Sequence, residues 1–239
     1  MTSSQHIRSA FDRDLEMITS KMLKMGGLVE SSIVDAAEAF EKRDLELAQN
    51  VRKRDKKIDA LEAEINEDIT RIIALQAPAA SDLRTLLSIL KIAGNLERIG
   101  DYSKNMAKRT NVLSTLPVIE NSSSSLRRLV REVQQMLKDA LDAYTQRDGE
   151  LGIDIIARDR EVDEIYNSLF RELLTYMMED ARNITACMHL HFIAKNIERM
   201  GDHVTSIAEQ VIFVVTGELP AERRDKADIT STNADLSKG

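Results

Sequence analysis

Hydrophobic residues recur at steps of three and four along most of this chain, which is the period of an α-helix. One such stripe covers residues 11–40 and a second covers 51–72, after which a proline-containing turn occupies 76–80. A third segment, about 82–109, is apolar around most of its circumference and is predicted to be the central helix of a bundle. Ser81, directly before it, is a candidate N-cap.

The same series of stripes then occurs a second time. Apolar positions of the first stripe return 104 residues later, at Leu126, Val133, Leu137, Ala140 and Tyr144. The pair Arg43-Asp44 returns as Arg147-Asp148 at the same offset. In the last helix the offset falls to 101, and the missing three residues lie in the turn between helices two and three, because loops absorb changes in length.

This repeat predicts an all-α fold made of two tandem pseudo-symmetric three-helix bundles. An extended coiled coil is the alternative, but Pro78 and the alanine-rich linkers count against it. We expect residues 1–110 to form the first bundle, 111–125 a linker, 126–217 the second bundle and 218–239 a flexible tail.

Composition narrows the class of function. The formal charge of −7 argues against a nucleic-acid backbone as the main partner, because such binding requires clustered Lys and Arg. No apolar run reaches the roughly 18–20 residues that span a bilayer, and the N-terminus lacks the apolar core of a signal peptide. A single cysteine, Cys187, rules out an internal disulfide and fits a reducing cytosol. We therefore expect a cytoplasmic helical protein.

Acidic residues repeat in pairs at a spacing of four. A single pair carries little information, because 40 of the 239 residues are acidic. Recurrence at matched places in both halves is informative, and the pairs are Asp55/Asp59, Glu97/Asp101, Asp159/Asp163 and Glu198/Asp202. At this spacing both carboxylates lie on one face of a helix, one turn apart. In the third helix of each half they continue the apolar stripe, which predicts that they face a neighbouring helix.

Carboxylates brought together by two packed helices repel one another unless they are protonated or neutralised. A hard cation such as Mg²⁺, Ca²⁺, Mn²⁺ or an iron ion is one way to neutralise them. The other is a metal-free seam of salt bridges, with the adjacent arginines as the cations: Arg54, Arg98, Arg158 and Arg199. The residues alone leave both interpretations open.

Two glycines, Gly100 and Gly201, lie inside helices beside the acids, where glycine costs about 1 kcal/mol relative to alanine. Close approach of a neighbouring helix or of a ligand would account for both, and tight helix packing is favoured. His203 is predicted to make an interhelical or surface contact rather than to bind metal. The chain has no Glu-x-x-His motif, no nucleophile motif and no phosphate-cradling glycine loop, which argues against an enzyme.

Segments 95–102 (NLERIGDY) and 196–203 (NIERMGDH) resemble the repeated Glu/Asp-x-x-x-Asp signatures of the PhoU family. The resemblance covers about residues 8–217 and implies two bundles, each with a metal cluster, and no catalytic residues. Because all four motifs are intact, it assigns eight metal ligands: Asp55, Asp59, Glu97, Asp101, Asp159, Asp163, Glu198 and Asp202. The implied metal is iron or zinc, or else magnesium or manganese. Tyr102 stands in one half where His203 stands in the other, so the two sites need not be equivalent.

The resemblance also implies a function. Members of this family regulate phosphate uptake and act as negative regulators of the phosphate-starvation response. The implied partners are the ATPase of the phosphate ABC transporter (PstB) and its sensor histidine kinase (PhoR), with the chain as a homodimeric adaptor that meets the membrane only through them. A carboxylate-bridged metal enzyme and a metal-free helical scaffold are the competing hypotheses.

Overall fold

The computed structural model describes residues 3–119 and 122–220, and within these ranges every regular element is a helix. The α-helices are α1 (Ser3–Lys42), α2 (Leu45–Gln76), α3 (Ala80–Leu113), α4 (Ser122–Gln146), α5 (Gly149–Glu179) and α6 (Ile184–Thr216). A short 3₁₀-helix, Ala181–Asn183, connects α5 to α6. Helices α1–α3 pack together as one bundle and α4–α6 as a second. The prediction of an all-α fold with two three-helix bundles is confirmed.

The predicted stripes form the core of each bundle. On α1 the fully buried positions include Ile18, Met22 and Met25, which recur at helical spacing and pack where α1 meets α2 and α3. On α4 the stripe that begins at Leu126 is buried in the same way, down to Tyr144. Burial of these apolar faces is what holds each bundle together, because an isolated helix is marginal in water.

The turns after α1 and α4 show that the repeat extends to backbone conformation. Arg43 and Arg147 have positive φ angles of 52° and 54°, and each ends its helix in the left-handed conformation. The aspartate that follows each arginine caps the next helix. Asp44 Oδ1 accepts a hydrogen bond of 2.9 Å from the N–H three residues on, and Asp148 Oδ1 accepts the equivalent bond at 3.0 Å.

The predicted N-cap at Ser81 is wrong. Helix α3 already begins at Ala80, and its cap residue Ala79 makes no side-chain capping bond. Ala77 lies in the left-handed region at φ 42° and ends α2 just before Pro78, so the chain turns early and Ser81 falls within the first turn of α3. A serine there cannot satisfy the free N–H groups that a cap one residue outside the helix would reach.

The two bundles meet mainly along α3 and α6, which run antiparallel. The Arg84 guanidinium near the start of α3 lies over the ring of Phe213 near the end of α6, with 5.4 Å to the centroid. At the other end of α3, the Arg109 guanidinium lies 4.3 Å from the centroid of Phe192. This arrangement places the middle of α3 against the middle of α6.

Tyr102 and His203 occupy equivalent positions of the repeat, 101 residues apart, and their rings contact each other with centroids 5.6 Å apart. Contact between equivalent residues is the geometry expected on a pseudo-twofold axis. His203 Nδ1 also makes a hydrogen bond of 2.8 Å with Asn95 Oδ1. The prediction that His203 makes an interhelical contact is therefore confirmed.

Helices α1 and α4 make a second, smaller contact between the bundles. A Cβ atom on Gly26 would lie 2.5 Å from Leu141 Cδ1, so this glycine allows the two helices to approach closely. At the rim of the contact, Arg127 Nη1 donates to Glu41 Oε1 at 2.6 Å. The bundles are therefore joined along two helix pairs.

The predicted domain boundaries stay predictions. Helix α3 ends at Leu113 and α4 begins at Ser122, so the connection between the bundles lies within the predicted linker 111–125. Of the predicted tail 218–239, residues 221–239 lie outside the described residues. None of the helices in the described ranges has an apolar stretch long enough to span a membrane.

Candidate functional site

Each bundle brings its two acidic pairs to the contact between its second and third helices. In the first bundle, Asp55 on α2 and Asp101 on α3 are hydrogen-bonded to the same ammonium group. In the second bundle, Asp159 Oδ1 on α5 lies 3.1 Å from the position that a Cβ on Gly201 of α6 would occupy, next to Asp202. The predicted convergence of the pairs on facing helices is therefore present in the fold.

The two sets of carboxylates differ in burial. The second bundle buries Asp159, Asp163 and Glu198, each with no more than 7% of its surface exposed. In the first bundle Asp55 is the buried acid, at 5%, while Asp59 is exposed. The remaining acids, Glu97, Asp101 and Asp202, are half-buried. The repeat therefore preserves the residue types but not their environments.

A lysine outside the four acidic pairs binds two acids of the first set. Lys104 Nζ donates to Asp55 Oδ2 and to Asp101 Oδ1, both at 2.6 Å, and so links α2 to α3. Burial lowers the pKa of Lys104, but the hydrogen bonds to Asp101 and Asp55 outweigh it and leave the pKa above its ordinary value. The lysine is therefore fully charged at neutral pH.

The other two acids of this set, Asp59 and Glu97, have raised pKa values. Burial raises the pKa of Asp59, and the carboxylates of Asp55 and Asp101 raise it further. Burial likewise raises the pKa of Glu97, with Asp101 as the next cause. Both shifts have the same physical origin, because each of these carboxylates is partly buried and lies near other negative charges.

In the second set, a lysine lies on the other side of the acidic pair of the third helix. Lys195 Nζ lies 2.9 Å from Glu198 Oε2, three residues further along α6. The position equivalent to Lys104 is Thr205, which carries no charge and whose hydroxyl donates to the carbonyl oxygen of Asp202 at 2.8 Å. The two bundles therefore supply positive charge at different places.

Two of the four arginines proposed as counter-ions for the acids, Arg54 and Arg158, bind other carboxylates. Arg54 pairs with Asp35 of α1 at 2.7 Å, and Arg158 pairs with the equivalent Asp139 of α4 at 2.6 Å. Both arginines therefore tie the second helix of a bundle to its first. Arg98 lies 3.5 Å from Glu97 and 3.8 Å from Asp101, but it is largely exposed, as is Arg199. Such an exposed pair contributes little to stability.

Both glycines beside the acids allow close helix packing, as favoured from the sequence. A Cβ on Gly100 would lie 3.1 Å from Ile58 Cδ1, so the neighbour there is an apolar side chain of α2. A Cβ on Gly201 would instead meet the carboxylate of Asp159 at 3.1 Å. Gly201 therefore lets a buried carboxylate approach the backbone of α6, whereas Gly100 accommodates the core.

The donor set fits a hard cation in kind, because it consists of carboxylate oxygens. Its arrangement is not that of a closed coordination sphere: across residues 10–119 and 124–220, no three His, Cys, Asp or Glu side chains converge closely enough to hold a metal ion. In the first bundle the Lys104 ammonium already lies between Asp55 and Asp101. The assignment of the eight acids as metal ligands stays a prediction.

The sequence contained a signal for both lysines. Lys104 follows Asp101 by three residues and Lys195 precedes Glu198 by three, and side chains three apart on a helix are neighbours. That spacing is too common to single out without the helix packing. It becomes specific for Lys104 only because Asp55 approaches from another helix.

Fold and site together define a class: a duplicated three-helix bundle with a carboxylate-rich contact between the second and third helix of each repeat. Two copies of the family model described as "PhoU domain" match the chain, at residues 22–110 and 126–211. The chain therefore belongs to the PhoU family, as the resemblance indicated.

The curated relatives agree along the whole length. A protein of Rhizobium meliloti (strain 1021), named phosphate-specific transport system accessory protein PhoU homolog, is 46% identical over 230 residues, which are 96% of this chain and 97% of that protein. A protein of the same name from Caulobacter vibrioides (strain NA1000 / CB15N) is 45% identical over 228 residues, 95% of this chain and 99% of its own length. An accessory protein of a transport system is regulatory rather than catalytic, which confirms the prediction of a non-enzyme.

Solved structures show the same fold. The crystal structure of PhoU from Pseudomonas aeruginosa superposes with a TM-score of 0.85 at 40% identity, covering 87% of this chain and 100% of that one. The crystal structure of the phosphate transport system regulatory protein PhoU from Streptococcus pneumoniae superposes with a TM-score of 0.82 at 28% identity. The match covers 89% of this chain and 100% of that one. This chain therefore shares its fold with both of these solved PhoU structures.

Proposed function

We propose that this chain is an accessory regulator of a phosphate-specific transport system and a negative regulator of the phosphate-starvation response. The observation that carries the proposal is the end-to-end similarity to proteins whose names state the transport role. Both bundles and all four acidic pairs lie within the matched length. The proposed role is that of a cytoplasmic adaptor, as a homodimer, between the transporter ATPase and the sensor histidine kinase.

The acidic contact of each bundle is the proposed metal site. Asp55, Asp59, Glu97 and Asp101 would hold a cation in the first bundle, and Asp159, Asp163, Glu198 and Asp202 in the second. The support is chemical, because their donor atoms are carboxylate oxygens and the pKa values of Asp59 and Glu97 are raised by burial and by neighbouring acids. A bound cation would supply positive charge that cross-links the second and third helix of a bundle.

The regulatory role is tested in the host. Deletion of the gene is expected to raise a phosphate-starvation reporter in phosphate-rich medium, and the wild-type gene on a plasmid is expected to restore repression. A reporter and a phosphate-uptake rate that both remain unchanged on deletion would contradict the proposal.

The adaptor role is tested by binding. Purified chain is expected to bind the purified cytoplasmic ATPase subunit and the kinase's cytoplasmic domain, measured by biolayer interferometry with serum albumin as the control. Turnover of phosphate esters by the chain alone, reproducible across preparations, would favour an enzyme instead.

The metal assignment is tested by elemental analysis of protein purified without chelator or metal-affinity resin. The Asp101→Asn/Asp202→Asn double variant is expected to lose metal from both bundles. Glu67→Gln, an exposed acid on α2 outside the two pairs, is the matched control and is expected to keep it. Equal metal content in the double variant and in wild type would show that the assigned ligands are wrong.

A further inference from the structure

We infer that the Lys104 ammonium is the built-in cation of the first bundle, and that a divalent metal ion enters between Asp55 and Asp101 only by displacing it. The inference deepens the proposed metal site and rests on it. It predicts that lysine and metal are alternative occupants of one position and that the two bundles differ in how readily they bind metal.

The geometry supports a shared position. Lys104 Nζ lies 2.6 Å from Asp55 Oδ2 on α2 and 2.6 Å from Asp101 Oδ1 on its own helix. These oxygens belong to two of the proposed ligands. A metal ion bound to both would lie within a few ångströms of the ammonium, where two positive charges in a partly buried site repel strongly. The two cations therefore exclude each other.

Without a bound metal ion, Lys104 stabilises the buried carboxylate of Asp55. Asp55 is buried, with 5% of its surface exposed, and a buried carboxylate is costly unless it is paired and hydrogen-bonded. Lys104 supplies the charge-assisted bond and is itself mostly shielded, with 23% of its side chain exposed. Removing it takes a charge-assisted bond from the buried Asp55 and leaves Asp101 with the exposed Arg98, at 3.8 Å, as its pair.

The repeat does not place a lysine at the same position in the two bundles. Thr205 stands at the position equivalent to Lys104, and Gly94 stands at the position equivalent to Lys195. In the first bundle, the Lys104 ammonium lies between the buried acid of the second helix and the last acid of the third. In the second bundle, Lys195 lies on the other side of the motif and pairs with Glu198, the first acid of the third helix.

The diagnostic variant is Lys104→Met, which keeps the length and the apolar stem and removes the charge. In chelator it is expected to lower Tm by about 3 °C or more relative to wild type, because two charge-assisted hydrogen bonds are lost. In the presence of Mn²⁺ it is expected to bind the ion about tenfold more tightly, because no ammonium has to be displaced. A lysine with a purely structural role would lower stability in both conditions.

Lys108→Met is the matched control. Lys108 lies one turn further along α3, is exposed, and donates to Asn105 Oδ1 at 3.3 Å rather than to an acid. Full-length wild type and both variants are titrated with Mn²⁺ by calorimetry and by the loss of the free-ion EPR signal, after treatment with chelator. The Lys108→Met protein is expected to match wild type in Tm and in affinity.

A second variant localises the effect. Adding Asp101→Asn to Lys104→Met is expected to abolish the tighter class of Mn²⁺ sites, because it removes one of the two shared ligands. Tighter binding that survives Asp101→Asn would place the gain elsewhere and overturn the inference.

The outcomes separate this inference from the proposed function. If wild type binds Mn²⁺ and Lys104→Met binds it no more tightly, displacement is refuted while the metal site stands. If Tm in chelator is the same for Lys104→Met and Lys108→Met, the role as counter-ion is refuted. If no variant binds Mn²⁺ and wild type purifies without iron, zinc, manganese or magnesium, the metal part of the proposed function fails, and displacement fails with it.

Discussion

Replacing Arg147 by glycine is expected to stabilise the protein, and replacing Arg43 by glycine is not. Both arginines end a helix at positive φ, at 54° and 52°, a conformation that costs a residue with a Cβ atom about 1–2 kcal/mol. Glycine removes this strain but loses about 0.5–1 kcal/mol to the greater freedom of the unfolded chain. The net gain at Arg147 is therefore expected to be about 0.5–1 kcal/mol.

Arg43 differs because its side chain holds the end of α3. Its Nη1 donates to the carbonyl oxygen of Ser114 at 3.2 Å and its Nη2 to that of Leu116 at 2.9 Å. Within the described part of the chain, the Arg147 guanidinium makes no such bond. Two exposed hydrogen bonds are worth about 1 kcal/mol each at most, which offsets or reverses the gain from glycine. The two variants should therefore differ by about 1–2 kcal/mol.

The measurement is urea denaturation followed by far-UV circular dichroism, with the free energy of unfolding extrapolated to water. The expected order of stability is Arg147→Gly, then wild type, with Arg43→Gly equal to or below wild type. Arg147→Ala controls for loss of the side chain alone and should give no gain. A stabilised Arg43→Gly equal to Arg147→Gly would show that the carbonyl contacts contribute nothing, and a destabilised Arg147→Gly would refute the strain argument.

Two further substitutions test the contacts around the acids and between the bundles. Gly201→Ala is expected to push the Asp159 carboxylate aside and to reduce the metal content measured by elemental analysis. Gly100→Ala is the control, because its methyl group would meet only the apolar side chain of Ile58 and should leave the metal content unchanged. Equal metal content in the two variants would contradict this expectation. Glu30→Gln is expected to stabilise the protein slightly at neutral pH, because burial and then the Asp142 carboxylate raise the pKa of Glu30 in the folded state above its ordinary 4.5. Because the pKa of Glu30 is raised in the folded state, wild type loses stability as the pH rises through that pKa, whereas the Glu30→Gln variant does not. The gain in stability of the variant over wild type should therefore vanish below about pH 4.5 and appear at higher pH. Denaturation series across this pH range measure it.

Much of the site could be derived from periodicity. The direction of a side chain around its own helix follows from residue spacing, so the pairing of Glu97 with Asp101, and their position on a packed face, were predictable. The tight packing at Gly100 and Gly201 followed from the same register. The repeated pairs Arg43-Asp44 and Arg147-Asp148 mark the ends of the stripes, and in the structure each aspartate caps the helix that follows.

The counter-ions were not predictable in this way. Arg54 lies next to Asp55 in the chain, yet its guanidinium binds Asp35 on α1, because adjacent residues on a helix point about 100° apart. Lys104 lies far from Asp55 in the chain, yet it reaches it because α2 and α3 cross there. The partner of a charged side chain depends on which helix lies opposite, and that is a tertiary property.

The duplicated helical fold and the acidic pairs at matched places can be derived from the amino-acid sequence, because the hydrophobic period and the repeat offset are properties of the linear chain. The position of Lys104 between Asp55 and Asp101, and the packing of Asp159 on Gly201, are tertiary properties. Those contacts join residues from different helices. Their formation depends on how the helices pack against one another, which the spacing within any one helix does not specify.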